Sequence, residues 1–166
     1  MKTIRLAGSD ELEIIRALAR KIWPVAYGEI LDDGQLSYML EKMYSIESLH
    51  QQLLQSHHRF ILVVDDDRPV GFASYSVKDD QPSVVRLHKI YVLPEQQGSG
   101  TGKMLLNYVI SSSKEMGATT MELNVNRHNK ALHFYEKQGF TVQRTEDIDI
   151  GAGYFMNDYV MELQLR

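Results

Sequence analysis

The stretch EQQGSGTGKM, Glu95–Met104, decides how the rest of the chain is interpreted. A P-loop for nucleoside triphosphates reads GxxxxGK followed by Ser or Thr, because a wide loop must cradle two phosphates and a hydroxyl must hold Mg²⁺. Here Gln97 stands where the first glycine belongs, and Met104 follows Lys103. The P-loop interpretation therefore fails at both ends of the motif.

The spacing of the glycines also differs from the dinucleotide-binding fingerprint. That fingerprint reads GxGxxG near the start of a βαβ unit, with an acidic residue about 20 positions later. Here Gly98, Gly100 and Gly102 give GxGxG past the middle of the chain. What remains is a loop rich in backbone N–H groups that leads into a helix N-terminus, which is a favourable place for an anion.

Length and composition place the chain among ordinary globular proteins. Its 166 residues predict one domain over residues 1–166, and 43% of them are hydrophobic. The absence of cysteine excludes a disulfide framework and a thiol nucleophile. A net charge of −4 argues against a nucleic-acid surface and is compatible with a cationic substrate. With no targeting signal and no apolar run near the roughly 20 residues that span a membrane, we expect a cytoplasmic protein.

The first half of the chain predicts an edge strand, helices and a hairpin. MKTIRLA alternates apolar and polar residues as an edge strand does. The next apolar residues recur at helical spacing and predict a helix that Asp10 caps, that Glu13 supports through a capping box, and that ends near Pro24. One or two further helices follow, the second capped by Ser45. A tight turn at Asp65–Pro69 then joins two strands.

The second half alternates strands and helices. A third strand ends at Pro94, the helix after the glycine loop ends at Gly117, and a shorter helix ends at Gly139 before two closing strands. The order is β, helices, βββ, α, β, α, ββ. It predicts an α/β (mixed α+β) domain whose mixed, mainly antiparallel sheet has about six or seven strands and is flanked by about four or five helices.

Four segments together resemble the GCN5-related N-acetyltransferase (GNAT) family. They are the strand LHKIYVLPE, the loop QQGSGTG, the strand ELNVN and the helix ALHFYEKQGF. The family motif Q/R-x-x-G-x-G/A is met by Gln97, Gly100 and Gly102. The N-terminal helices and the ending DIGAGYFMNDYVMELQL are similar to the polyamine (spermidine/spermine-type) branch. The resemblance implies a single GNAT-type domain.

The resemblance also implies acetyl-CoA as co-substrate and no metal. Loop amides at a helix N-terminus would hold the pyrophosphate, and the exposed main chain of the preceding strand would pair with the pantetheine arm. The family asparagine that contacts this arm matches either His128 or Asn129. The residues that the resemblance places at the cofactor are Ile90, Tyr91, Val92, Gln97, Gly98, Ser99, Gly100, Thr101, Gly102, Lys103, Asn129 and Lys137.

Two residues are candidates for the chemistry. Tyr135 matches the family tyrosine that protonates the leaving thiolate, and a phenol with a pKa near 10 is a suitable acid for that group. His88 stands where related enzymes carry a glutamate, and an imidazole can accept the proton of the amine. The alternative for His88 is a histidine at the sheet surface that is bonded to a neighbour. We expect direct transfer rather than an acyl-enzyme.

The acceptor is expected to be a primary amine of a small molecule, with a polyamine first. Cation–π contacts from aromatic side chains and ion pairs from carboxylates would bind its ammonium groups. Protein N-terminal or lysine acetylation, and a non-catalytic acyl-CoA-binding regulator, remain the alternatives. We expect a homodimer, the commonest soluble assembly. The candidate acceptor residues are Trp23, Tyr27, Tyr38, Asp32, Asp33 and Glu41.

Overall fold

The computed structural model describes the whole chain, Met1–Arg166. Its seven strands form one mixed sheet in the order β1-β2-β3-β4-β5-β7-β6, which confirms the predicted fold class and element order. The elements are β1 Lys2–Ala7, α1 Leu12–Tyr27, α2 Asp33–Tyr44, α3 Ile46–Leu54, β2 Arg59–Asp65, β3 Arg68–Val77, β4 Val84–Val92, α4 Thr101–Glu115, β5 Thr120–Asn126, α5 Ala131–Lys137, β6 Thr141–Gly151 and β7 Tyr154–Gln164.

The chain divides into two compact units. The first contains residues 1–76 and 87–111, and the second contains residues 77–86 and 112–166. The limits predicted for a single domain, residues 1–166, stay a prediction. None of the helices combines the length and the apolar character that a membrane crossing requires.

The residues of the tight turn between β2 and β3 explain its backbone conformation. Strands β1, β2 and β3 pair antiparallel in sequence order, with Asp65 opposite Arg68 beside the turn. Asp66 and Asp67 have φ angles of 47° and 69°, the left-handed conformation that a tight hairpin turn requires and that aspartate tolerates. The predicted turn is confirmed.

Two predictions about α1 are wrong. Asp10 lies in a short 3₁₀ turn, and the residue before α1 is Glu11, whose side chain makes no capping hydrogen bond. The helix also continues through Pro24 to Tyr27, because Trp23 before the proline and Tyr27 three residues after it are both buried in the core. Burial of this apolar face outweighs the backbone hydrogen bond that the proline cannot donate.

Ser45 separates α2 from α3 as predicted. Its extended backbone, with ψ of 151°, ends α2, and its Oγ accepts a hydrogen bond of 3.2 Å from the N–H of Ser48. One serine therefore both ends α2 and accepts a hydrogen bond from an otherwise unpaired amide of α3.

The second unit is built on β5, β7 and β6, which pair antiparallel in that spatial order. A polar network crosses its sheet. Glu122 forms ion pairs with Lys78 at 3.0 Å and Arg86 at 3.1 Å, and Asn124 connects Arg86 to Asp158. Burial alone would raise the pKa of Glu122, but the two cations outweigh it and lower the pKa.

Lys89 occupies a core position of β4. Alternate residues of this strand are buried, and Lys89 shares the buried face with Val85 and Leu87 at 5% exposure. Its Nζ donates a hydrogen bond of 2.6 Å to Oε1 of Gln52 on α3, and it lies 5.5 Å from the ring centroid of Tyr44. Burial lowers the pKa of Lys89 from 10.5 to about 7.

Replacing Lys89 with methionine tests the effect of this burial on stability. The unfolded chain keeps the proton up to pH 10.5, whereas the folded protein releases it near pH 7. Between these values the unfolded state binds more protons, so wild-type stability rises with pH, by at most about 1.4 kcal/mol per pH unit. In Lys89→Met this rise is absent, and below the folded pKa the variant is at least as stable as the wild type.

Urea unfolding followed by circular dichroism between about pH 6 and pH 9 gives the free energies of unfolding. The control is Lys21→Met, at an exposed position of α1, which keeps the wild-type slope. A Lys89→Met slope equal to that of the wild type would show that the buried ammonium keeps its charge in the folded protein.

Candidate functional site

The glycine loop connects the 3₁₀ turn Pro94–Gln96 to α4. Gly98 and Gly100 have φ angles of 77° and 84°, so each adopts a left-handed conformation that a residue with a Cβ rarely takes. No protein atom lies within 4 Å of a Cβ added at either position. The backbone conformation therefore explains both glycines, and the space beside them is open to a ligand.

Hydroxyl groups hold the loop against the start of α4. Thr101 is fully buried, and its Oγ1 donates a hydrogen bond of 2.9 Å to Oε1 of Gln96. The Oγ atoms of Ser99 and Thr101 are 2.8 Å apart. The amide of Met104 donates to the carbonyl of Gly100, so the amides from Thr101 to Lys103 precede the first hydrogen bond of the helix and lie at its positive end.

One basic residue at this loop was not identified from the sequence. Nζ of Lys2 lies 3.2 Å from Oγ of Ser99 and 3.4 Å from the carbonyl oxygen of the same residue. The ammonium adds a positive charge to the helix end, as an anion site requires. The predicted residues Gln97 and Lys103 are exposed beside it. No local pattern connects Lys2 to a loop 97 residues away.

The end of β4 carries the main chain that was predicted to bind the pantetheine arm. Val92 is buried, whereas Ile90 and Tyr91 are half-buried. On β3, a Cβ added to Gly71 would lie 2.8 Å from the carbonyl oxygen of Tyr91 and 3.0 Å from Cγ1 of Val92. Only a glycine fits at position 71, and sequence reasoning did not identify it because the clash involves a neighbouring strand.

His88 belongs to a compact polar group in the first unit. Its Nε2 lies 2.7 Å from Oγ of Ser76 on β3. Its ring stacks on that of His58, with centroids 3.7 Å apart and planes 8° from parallel. Sequence reasoning identified His88 but not the two residues that contact its ring.

The aromatic candidates for the acceptor lie in the core of the first unit. Trp23 and Tyr27 are 1% and 8% exposed, and the Tyr27 hydroxyl is 2.8 Å from that of Tyr91. Tyr38 is half-buried, with the Lys42 ammonium 5.6 Å from its ring centroid. These positions favour packing for Trp23 and Tyr27.

The acidic candidates lie on α2. Asp32 caps this helix, because its Oδ1 accepts a hydrogen bond of 2.7 Å from the amide of Gln35. Asp33 and Glu41 are exposed. Their role as anchors for an ammonium stays a prediction.

The second unit contains the remaining predicted residues. Tyr135 on α5 is 7% exposed, between the rings of Phe134 and Phe140 at centroid distances of 5.4 and 5.6 Å. Oδ1 of Asn129 accepts a hydrogen bond of 2.9 Å from the amide of Ala131, so part of this side chain serves to begin α5. Lys137 is exposed.

The predicted site residues thus fall into two groups. The first unit brings together the glycine loop, the end of β4 and His88, and the second contains Asn129, Tyr135 and Lys137. Their roles stay predictions. No group of three or more histidine and acidic side chains is placed to hold a metal ion.

Residues 16–140 match the model of the acetyltransferase (GNAT) family. The match covers most of the chain and includes the glycine loop, β4 and Tyr135. The protein belongs to this family, as its motifs indicated, and it is an acetyl-CoA-dependent N-acetyltransferase.

The names of individual relatives give different acceptor amines. Over 151 residues the chain is 27% identical to spermidine N(1)-acetyltransferase of Thermoplasma acidophilum, covering 88% of this chain and 92% of the relative. Over 93 residues it is 34% identical to ribosomal protein bS18 alanine N-acetyltransferase of Haemophilus influenzae, covering 56% of this chain and 58% of the relative.

A solved structure shows the same fold with coenzyme A bound. The PaiA N-acetyltransferase of Thermoplasma acidophilum, in complex with coenzyme A, superposes with a TM-score of 0.83 at 26% identity, over 99% of each chain. The open left-handed glycines, the helix amides and the Lys2 ammonium of the present protein fit the pyrophosphate of such a ligand.

Gly100 is the position at which the cofactor loop is best tested. In Gly100→Asp we expect the affinity for CoA to fall at least about 100-fold, because a carboxylate is repelled by the pyrophosphate and its Cβ strains the φ of 84°. Gly100→Asn has the same size without the charge, and asparagine tolerates the left-handed region, so its affinity stays within about tenfold of the wild type.

Isothermal titration with CoA measures the affinities, and circular dichroism shows that each variant is folded. Unchanged CoA affinity in Gly100→Asp would place the pyrophosphate elsewhere. Tight binding of ATP or NAD by the wild type would restore the interpretations that the glycine spacing excluded.

Proposed function

We propose that the enzyme acetylates a primary amine of a small molecule, and that a polyamine is the preferred acceptor. The observation that carries this proposal is the extent of the likeness to the spermidine enzyme, which spans 88% of the chain, against 56% for the alanine enzyme. The net charge of −4 supports a cationic acceptor.

The loop and β4 bind and orient the co-substrate in this proposal. Acetyl-CoA supplies an activated thioester carbonyl when it is bound. The amides of residues 98–103 and the Lys2 ammonium hold its pyrophosphate, and the main chain of Ile90–Val92 pairs with the pantetheine arm. A main-chain N–H of β4 polarises the carbonyl at which the amine attacks.

His88 accepts the proton of the attacking amine. An alkyl amine is mostly protonated at neutral pH and must lose a proton before it can attack a carbonyl. The contact with Ser76 supports this role, since a hydrogen bond of 2.7 Å between Oγ of Ser76 and Nε2 of His88 holds the imidazole ring in one orientation. Ser76 thus orients His88.

Tyr135 donates a proton to the departing thiolate. Two aromatic rings, Phe134 and Phe140, pack against its ring and fix its orientation on α5. A single rotamer lowers the entropy that the phenol loses when it hydrogen-bonds to the sulfur.

A panel of amines identifies the acceptor. With acetyl-CoA saturating, release of the CoA thiol is measured with spermidine, spermine, putrescine, an aminoglycoside, an amino acid, and peptides that offer an N-terminal alanine or an internal lysine. We expect kcat/KM for a polyamine to exceed that for either peptide by at least about tenfold.

The other outcomes select the alternatives. Preference for a peptide would indicate a protein acetyltransferase. Binding of CoA without thiol release on any amine would indicate a non-catalytic acyl-CoA-binding regulator.

The role of Tyr135 is tested by removing one oxygen atom. In Tyr135→Phe we expect CoA affinity to persist while kcat falls about 100-fold or more, since a lost general acid slows only the chemical step. Tyr108→Phe, at a partly exposed tyrosine of α4, is the control and keeps wild-type kinetics. Wild-type turnover in Tyr135→Phe would reduce the tyrosine to a packing residue.

A further inference from the structure

We propose that Tyr27 and Tyr91 are a positioning pair for the transfer reaction. Their hydroxyl oxygens are 2.8 Å apart, and the hydrogen bond between them joins the last residue of α1 to the end of β4. In the proposed function, the main chain at this end of β4 orients the thioester and polarises its carbonyl, so the inference rests on that function. It assigns a role to two hydroxyl groups that have no part in the proton transfers described above.

Alternation along β4 places the Tyr91 side chain among aromatic rings. Tyr91 comes two residues after Lys89 and therefore lies on the same face of the strand, the face that packs in the core. Its ring centroid is 5.9 Å from that of Trp23 and 5.7 Å from that of Phe72. Packing against these rings restricts the orientation of the phenol, and in the orientation it adopts its hydroxyl meets that of Tyr27.

The α1 side of the bond is anchored in the same aromatic cluster. The ring centroids of Trp23 and Tyr27 are 4.6 Å apart, and Trp23 also meets Tyr44 edge-on at 5.5 Å. Trp23 and Tyr44 are each 1% exposed, and Tyr27 is 8% exposed. A phenol hydroxyl this far from solvent is destabilised unless it has a hydrogen-bond partner, and the Tyr91 hydroxyl provides one.

The backbone of β4 is also fixed at this point from the side of β3. A Cβ on Gly71 would lie 2.8 Å from the carbonyl oxygen of Tyr91, and the amide of Leu93 donates a hydrogen bond of 2.9 Å to the carbonyl oxygen of Val70. These contacts restrain the strand end from within the sheet. The bond to Tyr27 adds a restraint from a helix, so the strand end is held from two directions.

The chemistry of the transfer makes the position of this strand end important. A main-chain donor stabilises the developing oxyanion only at hydrogen-bond distance, and a displacement of about 1 Å can cost up to about 100-fold in rate. Loss of the hydroxyl bond leaves the rings packed but allows the strand end to move relative to α1. The glycine loop, which holds the pyrophosphate in the proposed function, keeps its own contacts. We therefore expect slower turnover with unchanged affinity for the co-substrate.

Three single variants and one double variant test the inference. Tyr27→Phe and Tyr91→Phe each remove one hydroxyl of the pair, and the double variant removes both. Tyr44→Phe is the matched control, because it removes a buried hydroxyl from the same aromatic cluster and leaves the bond between Tyr27 and Tyr91 in place. Urea unfolding followed by circular dichroism shows that each variant is folded under the assay conditions.

Steady-state kinetics with the best amine of the panel, and titration with CoA, give the first result. We expect kcat to fall about tenfold in both single variants of the pair, whereas KM for the amine and Kd for CoA stay within about twofold of the wild type. The double variant should fall no further than the slower single variant, because each substitution already breaks the same bond. Tyr44→Phe should keep the wild-type kcat. A purely structural pair would lower only the free energy of unfolding.

Hydrogen exchange measures the restraint on the strand end independently of the chemistry. The Leu93 amide, which donates to the carbonyl oxygen of Val70, should exchange about tenfold faster in Tyr27→Phe and in Tyr91→Phe than in the wild type. Amides of β2 should keep their wild-type rates in both variants. Such a pattern would place the added freedom at the end of β4.

Wild-type kcat in both single variants would overturn the inference, and so would losses of kcat that add in the double variant or recur in Tyr44→Phe. Unchanged exchange of the Leu93 amide would show that the hydroxyl bond does not hold the strand, with the same consequence. Failure of the proposed function gives a different pattern, in which the wild type itself releases no CoA thiol with any amine, and the inference then falls with it. A preference for a peptide acceptor would change the substrate of the assay and leave the expected effects of the variants as stated.

Discussion

The close approach of Gly71 to the main chain of Tyr91 fixes the path of β4, and the site of the first unit is arranged along that strand. A Cβ on residue 71 would come within 2.8 Å of the Tyr91 carbonyl oxygen, so the two backbones can meet only if one of them carries a hydrogen there. From the strand placed in this way, His88 extends to Ser76, Lys89 extends to Gln52, and the chain continues into the glycine loop.

Much of the fold could be predicted because its signals are local. Periods of apolar residues identified the strands and helices, and the glycines that end α4 and α5, Gly117 and Gly139, have φ angles of 86° and 100°. Ser45 and the turn at Asp66 and Asp67 also depend on residues within a few positions of each other. The predicted cap of α1 and its predicted end near Pro24 were wrong, since burial of the helix face outweighed the local signals.

The candidate site was less predictable because its contacts are long-range. The motif located the loop and β4. The ammonium of Lys2 lies beside Ser99 although the two residues are 97 positions apart in the sequence. Glycine is required at position 71 because a neighbouring strand lies too close for a Cβ. Lys89 follows His88 in the sequence, and no local pattern marks it as a buried residue. Its burial depends on Gln52, Tyr44 and Phe60, which come from three other elements.

His88 and Lys89 are adjacent in sequence and point to opposite faces of β4. The ring of His88 stacks on that of His58, whereas Lys89 is buried, and this burial lowers its pKa to about 7. A cationic acceptor that approached β4 would be repelled by a charged Lys89. Because burial limits the positive charge of Lys89 near neutral pH, the strand that we propose to offer its main chain to the thioester remains compatible with an acceptor that is itself an ammonium ion.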